Sequence, residues 1–220
     1  LAAAAGEPCL LRRPRRAALI FHGLQALRPS YAVGMSKTEV AVFGGGCFWC
    51  TEAVFERLRG VVSVMPGYSG GNIANPNYQQ VCTGETGHAE VSRVEYDPAR
   101  ISFHDLLVVF FSTHDPTSLN RQGADVGTEY RSAIFYTTDE QQRAARDMID
   151  ELNKSDLSGR QIVTEVVPLQ AFYPAENYHR QYYRNNALAP YCQVVIEPKL
   201  RKLHKQFSEL LRANEAASPG

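Results

Sequence analysis

What this 220-residue chain lacks narrows the field first. No apolar run approaches the ~20 residues that a membrane-spanning helix needs, so no membrane role is expected. There is no charge excess, since 23 basic residues meet 23 acidic ones. That balance removes the electrostatic footprint of a nucleic-acid binder. Five scattered cysteines are too few for a secreted disulfide framework. No second Cys/His pair stands at short spacing from the first, which argues against a four-ligand zinc site and a zinc-binding module. No internal repeat is present. The length suits one domain that can bury a substantial core.

The balance is uneven along the chain. The first 35 residues hold five arginines (Arg12, Arg13, Arg15, Arg16, Arg28) and a single acid, Glu7. The remainder carries 18 basic and 22 acidic residues. An Arg-rich, acid-poor leader resembles an organelle transit peptide, and Met35 is an alternative start. Residues 1–35 are expected to be a disordered leader, 36–212 the folded domain and 213–220 a fraying tail. The protein is then cytoplasmic, or mitochondrial or plastid if the leader is a genuine transit peptide.

What is present centres on Gly44-Gly45-Gly46-Cys47-Phe48-Trp49-Cys50-Thr51-Glu52. A strand-like run, 39–43, precedes it, and a pattern of helical period follows to about Leu58. The glycines permit a tight turn, which puts Cys47 at a helix N-terminus. Unpaired N–H groups and the macrodipole there favour a thiolate, the nucleophilic form. Cys50 falls on the same helix face, within disulfide reach of Cys47 at a Cα separation of about 5–6 Å. Cys-x-x-Cys between a strand and a helix reads as a redox dithiol. The competing reading is a pair of buried structural cysteines.

Taken in order, further strands are expected at 61–65, stopped by Pro66-Gly67, at 88–96, at 131–136 and at 162–168. Ser102 with Asp105 caps one helix, and Thr138 with Gln141 forms a capping box for another over 139–153. A Tyr-rich polar helix is expected at 175–185 and an amphipathic one at 199–212. Two long polar loops, 68–78 and 114–129, carry the look of function. The first six elements read strand–helix–strand–strand–helix–strand. That order predicts an α+β fold, a two-layer sandwich with a ferredoxin-like split βαβ core and extended loops. An open α/β sheet is the competing architecture.

Glu90 opens an otherwise apolar and neutral strand. A carboxyl in such a place has a raised pKa and can act as an acid near neutral pH; a solvated glutamate is the plain alternative. His88 is a base or, more simply, a turn residue. Tyr68, Tyr78 and Tyr130 lie in or beside the long loops, where a phenol can donate to a sulfoxide oxygen. Asp125 reads on its own as an Asx-turn residue.

Gly-Cys-Phe-Trp at 46–49, Gly-Tyr-Ser-Gly-Gly at 67–71, Asn-Pro-Asn-Tyr at 75–78 and Thr-Gly-His-Ala-Glu at 86–90 occur in that order. His-Asp-Pro at 114–116, Gln-Gly-Ala-Asp-Val-Gly-Thr-Glu-Tyr-Arg-Ser at 122–132 and Ala-Glu-Asn-Tyr-His at 175–179 follow. Together they resemble the peptide methionine sulfoxide reductases of the A type. The resemblance implies that Cys47 attacks the sulfoxide sulfur, Glu90 protonates its oxygen, and Tyr78 and Tyr130 hydrogen-bond it. It further implies that Phe48 and Trp49 hold the S-methyl group and that Asp125 supports the site. The product would be methionine and a sulfenic acid on Cys47, which a second cysteine converts to a disulfide for thioredoxin to reduce. Substrates would be oxidised proteins or free methionine S-sulfoxide, with no metal or organic cofactor, and the chain is expected to be monomeric. The residue after Phe-Trp is often glycine in the family and here is Cys50. No glycine-rich cysteine tail follows Cys192. The resolving thiol is therefore Cys50 or Cys192. Cys82 is expected to be a buried structural thiol, and Cys9 lies in the leader. The rival enzyme class is a dithiol–disulfide oxidoreductase on Cys47/Cys50, which leaves Glu90 and the tyrosine loops without a task.

Overall fold

The computed structural model describes residues 37–155 and 159–213; the expected leader and nearly all of the expected tail lie outside them. β1 (Glu39–Gly45) leads through the glycine turn into α1 (Phe48–Phe55), followed by β2 (Val61–Ser69) and the one-turn α2 (Tyr78–Val81). Then come β3 (Ala89–Tyr96), α3 (Phe103–Thr113) and a small hairpin of β4 (Arg121–Gln122) and β5 (Asp125–Val126). β6 (Ser132–Tyr136), α4 (Asp139–Ser155), β7 (Glu165–Pro168) and β8 (Phe172–Pro174) complete the sheet, before the one-turn α5 (Tyr182–Asn185) and α6 (Glu197–Gln206).

The six-stranded sheet has the order β7-β6-β1-β3-β2-β8. β3 is antiparallel to both β1 and β2, so β1 and β2 run parallel with β3 inserted between them. β6 lies antiparallel on the other edge of β1. This is the split βαβ, ferredoxin-like arrangement, extended by β7 beside β6 and β8 beside β2. The antiparallel pairings exclude the open parallel sheet.

Period-two alternation sorts the strands' side chains. Ala41, Phe43, Tyr68, Val94, Tyr96 and Ile134 join the core shared with the helices, whereas Val42, Ala89, Val91, Ala133 and Phe135 cluster separately. Phe43 anchors the helical layer, stacked on Phe55 at 5.1 Å and Phe110 at 5.0 Å between ring centroids. A buried phenylalanine is worth about 1.5–3 kcal/mol, so these rings hold α1 and α3 against β1.

Several sequence expectations shift. β2 does not stop at Pro66-Gly67 but runs through to Ser69. The Pro66 carbonyl accepts from the Ala175 N–H, on the side away from β3. In an antiparallel strand a residue's N–H and C=O point the same way, so the missing N–H removes no bond to β3. The Ser102–Asp105 capping box forms in full. Thr138 receives the Gln141 N–H, but the Gln141 side chain accepts from Thr137 instead and also donates to the Val40 carbonyl. The expected helix over 175–185 is only a 3₁₀ turn (Asn177–His179) and α5. Gln181, at φ 51, breaks it in the left-handed region. The expected helix from 199 begins instead with a π-helical turn, Cys192–Ile196, that runs into α6.

The end of the described chain returns to α1. Arg212 donates from its backbone N–H to the Arg57 carbonyl (2.9 Å), and from its guanidinium to those of Glu56 (2.8 Å) and Val61 (2.6 Å). Arg59 N–H in turn donates to the Leu210 carbonyl at 2.8 Å.

Candidate active site

The glycine turn fixes where Cys47 sits. Gly46 has φ +86, and a Cβ there would lie 2.5 Å from the Gln122 side chain, so both backbone conformation and space exclude other residues. Cys47 follows as the N-cap of α1, with no side-chain cap bond. The cap comes from the sheet: Phe48 N–H donates to Glu90 Oε2 at 3.0 Å. Alternation along β3 puts Glu90, Ser92 and Val94 on the face below α1. Ser92 Oγ meets Thr51 Oγ1 at 2.7 Å, a second tie one helical turn along.

Glu90 is 1% exposed. Burial pushes its carboxyl up to about 8, partly offset by the Phe48 N–H, with Asp125 and Glu129 pushing the same way as burial. The sequence expectation of a raised carboxyl in an apolar strand holds. The expectation of a Cys47 thiolate does not. Burial raises the Cys47 thiol well above its usual range, and the Cys50 thiol and the Glu90 carboxyl add to the rise. Desolvation outweighs the helix N-terminus, whose first N–H is already taken by the Glu90 carboxyl. Cys50 is lowered instead, first by the hydrogen bond with the Cys47 thiol and further by the Lys199 ammonium, against the effect of burial. Both thiols are free and buried.

Aromatic rings wall the site. Trp49 stacks on Tyr182 with centroids 3.6 Å apart and planes 7° from parallel. Its Nε1–H donates to His179 Nδ1 at 3.1 Å, which fixes the His179 tautomer with the proton on Nε2. Phe48, fully buried, lies against Tyr68 and His179. Tyr78 also contacts the His179 ring, at 4.5 Å. The Tyr78 and Tyr130 phenols are both raised, chiefly by burial and also by Glu90. The Tyr78 hydroxyl donates to the Cys82 sulfur, a bond that raises the phenol and offsets the burial of the thiol. Cys82 is exposed, not a buried structural thiol, because it follows the last turn of α2 at the surface. His88 is the turn residue, not a base within the site. It accepts the Gly71 N–H at Nδ1 and faces the Ile73 carbonyl through Nε2, pinning the first long loop.

Asp125 is set by the β4–β5 hairpin, whose Gln122 covers the glycine turn. It is not an isolated turn residue: Tyr191 donates from its hydroxyl to Asp125 Oδ2 at 2.9 Å, and the Tyr191 hydroxyl oxygen lies 3.8 Å from Cys50 Sγ. Cys192 is fully buried, in the same core as Ile196 and Leu203, so the segment that carries it is part of the fold.

Sequence reasoning passed over Tyr191, His179, Glu176 and Glu52. Glu176 accepts from the Tyr68 hydroxyl (2.9 Å) and the Tyr78 N–H (2.8 Å). Glu52 is buried, its carboxyl pushed up to about 7 by burial, and it accepts the Gln181 (2.8 Å) and Tyr182 (3.3 Å) N–H groups. Glu176 and His179 stood in the quoted Ala-Glu-Asn-Tyr-His stretch and Glu52 in the opening one. Tyr191 had only its place beside Cys192 as a signal.

Among the described residues no three His, Cys, Asp or Glu side chains come together as metal ligands, and no helix is long and apolar enough to cross a membrane. Residues 39–211 match the family model for peptide methionine sulfoxide reductase. A Deinococcus radiodurans protein named peptide methionine sulfoxide reductase MsrA is 58% identical over 174 residues, covering 79% of this chain and 84% of that one. A Sulfolobus acidocaldarius protein of the same name is 55% identical over 171 residues, 78% of this chain and 96% of its own. Among solved structures, methionine sulfoxide reductase A of Corynebacterium diphtheriae superposes with a TM-score of 0.67 at 37% identity, over 71% of this chain and 78% of that one. Reduced Mxr1 from Saccharomyces cerevisiae gives 0.65 at 33% identity, over 72% and 91%.

Proposed function

We propose, from the premise that this chain belongs to the peptide methionine sulfoxide reductase family, how its residues reduce methionine S-sulfoxide. The enzyme reduces the sulfoxide to methionine, leaves a sulfenic acid on a cysteine, and is recycled by thioredoxin through a disulfide. Oxidised proteins and the free amino acid are its substrates. The single chain is the active unit, its catalytic domain spanning 36–212, in whichever compartment, cytoplasmic or organellar, supplies thioredoxin.

Cys47 is the nucleophile. A sulfoxide oxygen leaves only when it is protonated. Glu90, whose proton is retained near neutral pH by burial, supplies that proton beside the attacking sulfur. The Tyr78 and Tyr130 phenols hydrogen-bond the same oxygen as charge develops on it. Because burial keeps the Cys47 thiol protonated at rest, attack is coupled to proton transfer and does not draw on a standing thiolate. Trp49, held flat by Tyr182 and His179, gives the S-methyl group an apolar wall, with Phe48 beneath it. Asp125 supports the far side. Cys50 resolves the sulfenic acid, since it lies beside Cys47 and is the more easily ionised of the two thiols. No metal or organic cofactor enters this scheme.

The observation that carries the reading is the buried Glu90 carboxyl bonded to the first N–H of the Cys47 helix. Turnover of separated epimers of a methionine sulfoxide peptide with dithiothreitol tests it. Only the S epimer should react, and comparable turnover of the R epimer would defeat the assignment.

A further inference from the structure

Trp49 and Glu52 stand three residues apart on α1, so they are neighbours on one side of that helix. The segment 179–182 wraps across them. His179 takes the indole N–H at 3.1 Å, and Tyr182 lies flat on the indole, 3.6 Å between centroids. Between these two the chain turns back at Gln181, whose φ of 51 lies in the left-handed region that residues with a Cβ rarely adopt. In that bend the Gln181 and Tyr182 N–H groups both donate to the Glu52 carboxyl, at 2.8 and 3.3 Å. Glu52 is 1% exposed. The two N–H groups oppose the effect of burial on its carboxyl, so they hold its charged form. The next pair along, Glu56 and Arg184 at 3.2 Å, leaves the Arg184 side chain 55% exposed, a weak tie beside the buried one. Glu52 is bonded to these backbone groups and not to a thiol or to Glu90, so it takes no direct part in the sulfoxide chemistry.

We infer that Glu52 is a positioning residue of the sulfoxide step: by fixing the Gln181 bend it lays the Tyr182 ring on Trp49 and holds the indole where the S-methyl group meets it. The inference rests on Trp49 being the methyl wall of the proposed site. Trp49 is only half-buried, so packing alone leaves its ring room to turn. Two backbone bonds to a buried carboxyl tie the main chain of Tyr182, and with it the covering ring, to the helix that carries Trp49. The same helix has Cys47 as its N-cap. Nucleophile and methyl wall are thereby referred to one element. The sulfoxide must offer its sulfur to Cys47 and its oxygen to Glu90 while its methyl group rests on the wall. A wall that shifts misorients the sulfur for attack.

Trp49 is the one tryptophan of the sequence, so its fluorescence reports the wall directly. Glu52→Ala should raise acrylamide quenching of that emission. It should also slow methionine release in a saturating single turnover with methionine S-sulfoxide peptide by up to about 10²-fold, the scale of a misplacement of about 1 Å. Glu52→Gln keeps an acceptor for the Gln181 N–H but turns its amide N–H₂ toward the Tyr182 N–H, and should fall between. Tyr182→Ala gives the signature of action through the wall. In that background Glu52→Ala should add little further loss, because the ring it positions is gone; losses that multiply in full would overturn the inference. In the unaltered protein the Gln181 and Tyr182 amides should exchange slowly and together with those of α1. Exchange at the rate of an open chain would overturn the inference as well, and that measurement needs no variant to fold. So would unaltered quenching and unaltered methionine release in both Glu52 variants. If quenching rises while methionine release keeps its rate, the inference falls because Trp49 is not the methyl wall; if neither moves, it falls because Glu52 does not set the indole.

Discussion

Replacing Glu90 with glutamine should make the protein both slower and more stable, and the two effects can be measured on one variant. The Glu90 carboxyl is pushed up to about 8 in the fold, against about 4.3 in an unfolded chain. A carboxyl raised on folding contributes its full stability below the unfolded value and loses it as pH climbs through the folded value. At pH 7 the unfolded carboxyl is ionised while about nine-tenths of the folded one is not. The difference costs the fold about 3.5 kcal/mol at pH 7, at about 1.4 kcal/mol for each pH unit between the unfolded value and pH 7. Glutamine has the same shape, can still accept the Phe48 N–H through its amide oxygen, and does not titrate. Urea unfolding in dithiothreitol from pH 5 to 8 should show a shallower loss of stability in Glu90→Gln. At pH 7 the variant should gain up to about 3.5 kcal/mol. Its sulfoxide step should fall by about 10²–10⁴-fold in single turnover, the usual scale for a lost general acid. Equal stability at pH 7 with an unchanged pH slope would refute the buried neutral carboxyl. A single-turnover rate within about threefold of the unaltered enzyme, well below the loss expected of a general acid, would move the acid elsewhere, with Tyr78 or Tyr130 next.

Two further outcomes follow from the same geometry. Cys50→Ser should stop after one turnover with thioredoxin while Cys192→Ser, whose sulfur is buried in the core, should keep cycling; disulfide mapping by mass spectrometry checks this, and the reverse pattern would make Cys192 the resolver. Gly46→Ala must adopt φ +86 and push against Gln122, so it should lose about 2–3 kcal/mol in thermal or urea unfolding and about 10²-fold in sulfoxide reduction as Cys47 is displaced.

The regular part of the fold was legible because it is written in local chemistry. The glycine turn, the Ser102–Asp105 cap and the alternation of β3 each act over a few residues. Glu90 could be picked out for the same reason: it is a carboxyl flanked by Ala89, Val91 and Ser92, apolar and neutral residues. Strand pairing and the edge strands were less legible, since Pro66 disguises β2 unless its outward carbonyl is known. The polar wall was least legible. Glu176, His179 and Tyr182 are ordered by contacts with α1 and β2 more than a hundred residues away in sequence, and no periodicity reports such contacts. The thiol electrostatics were misread for a related reason. A helix N-terminus favours a thiolate only when nothing else claims its N–H groups, and here Glu90 claims the first. Tyr191 was invisible for want of any pattern linking it to Asp125.

The return of the chain's end onto α1 has a dynamic consequence. The Cys47 helix is two turns long, too short to persist alone in water. Arg212 holds the carbonyls of its C-cap, Glu56, and of Arg57 just beyond, and the Leu210 carbonyl accepts the Arg59 N–H. The reactive helix and residues 207–212 therefore make one cooperative opening unit, whose amides should exchange with solvent together. How often the sulfur-bearing turn loosens is then governed from the opposite end of the sequence. Changes at Leu210, Leu211 or Arg212, which touch neither thiol, become a means of tuning how readily the disulfide proposed for Cys47 and Cys50 is presented to its reductant.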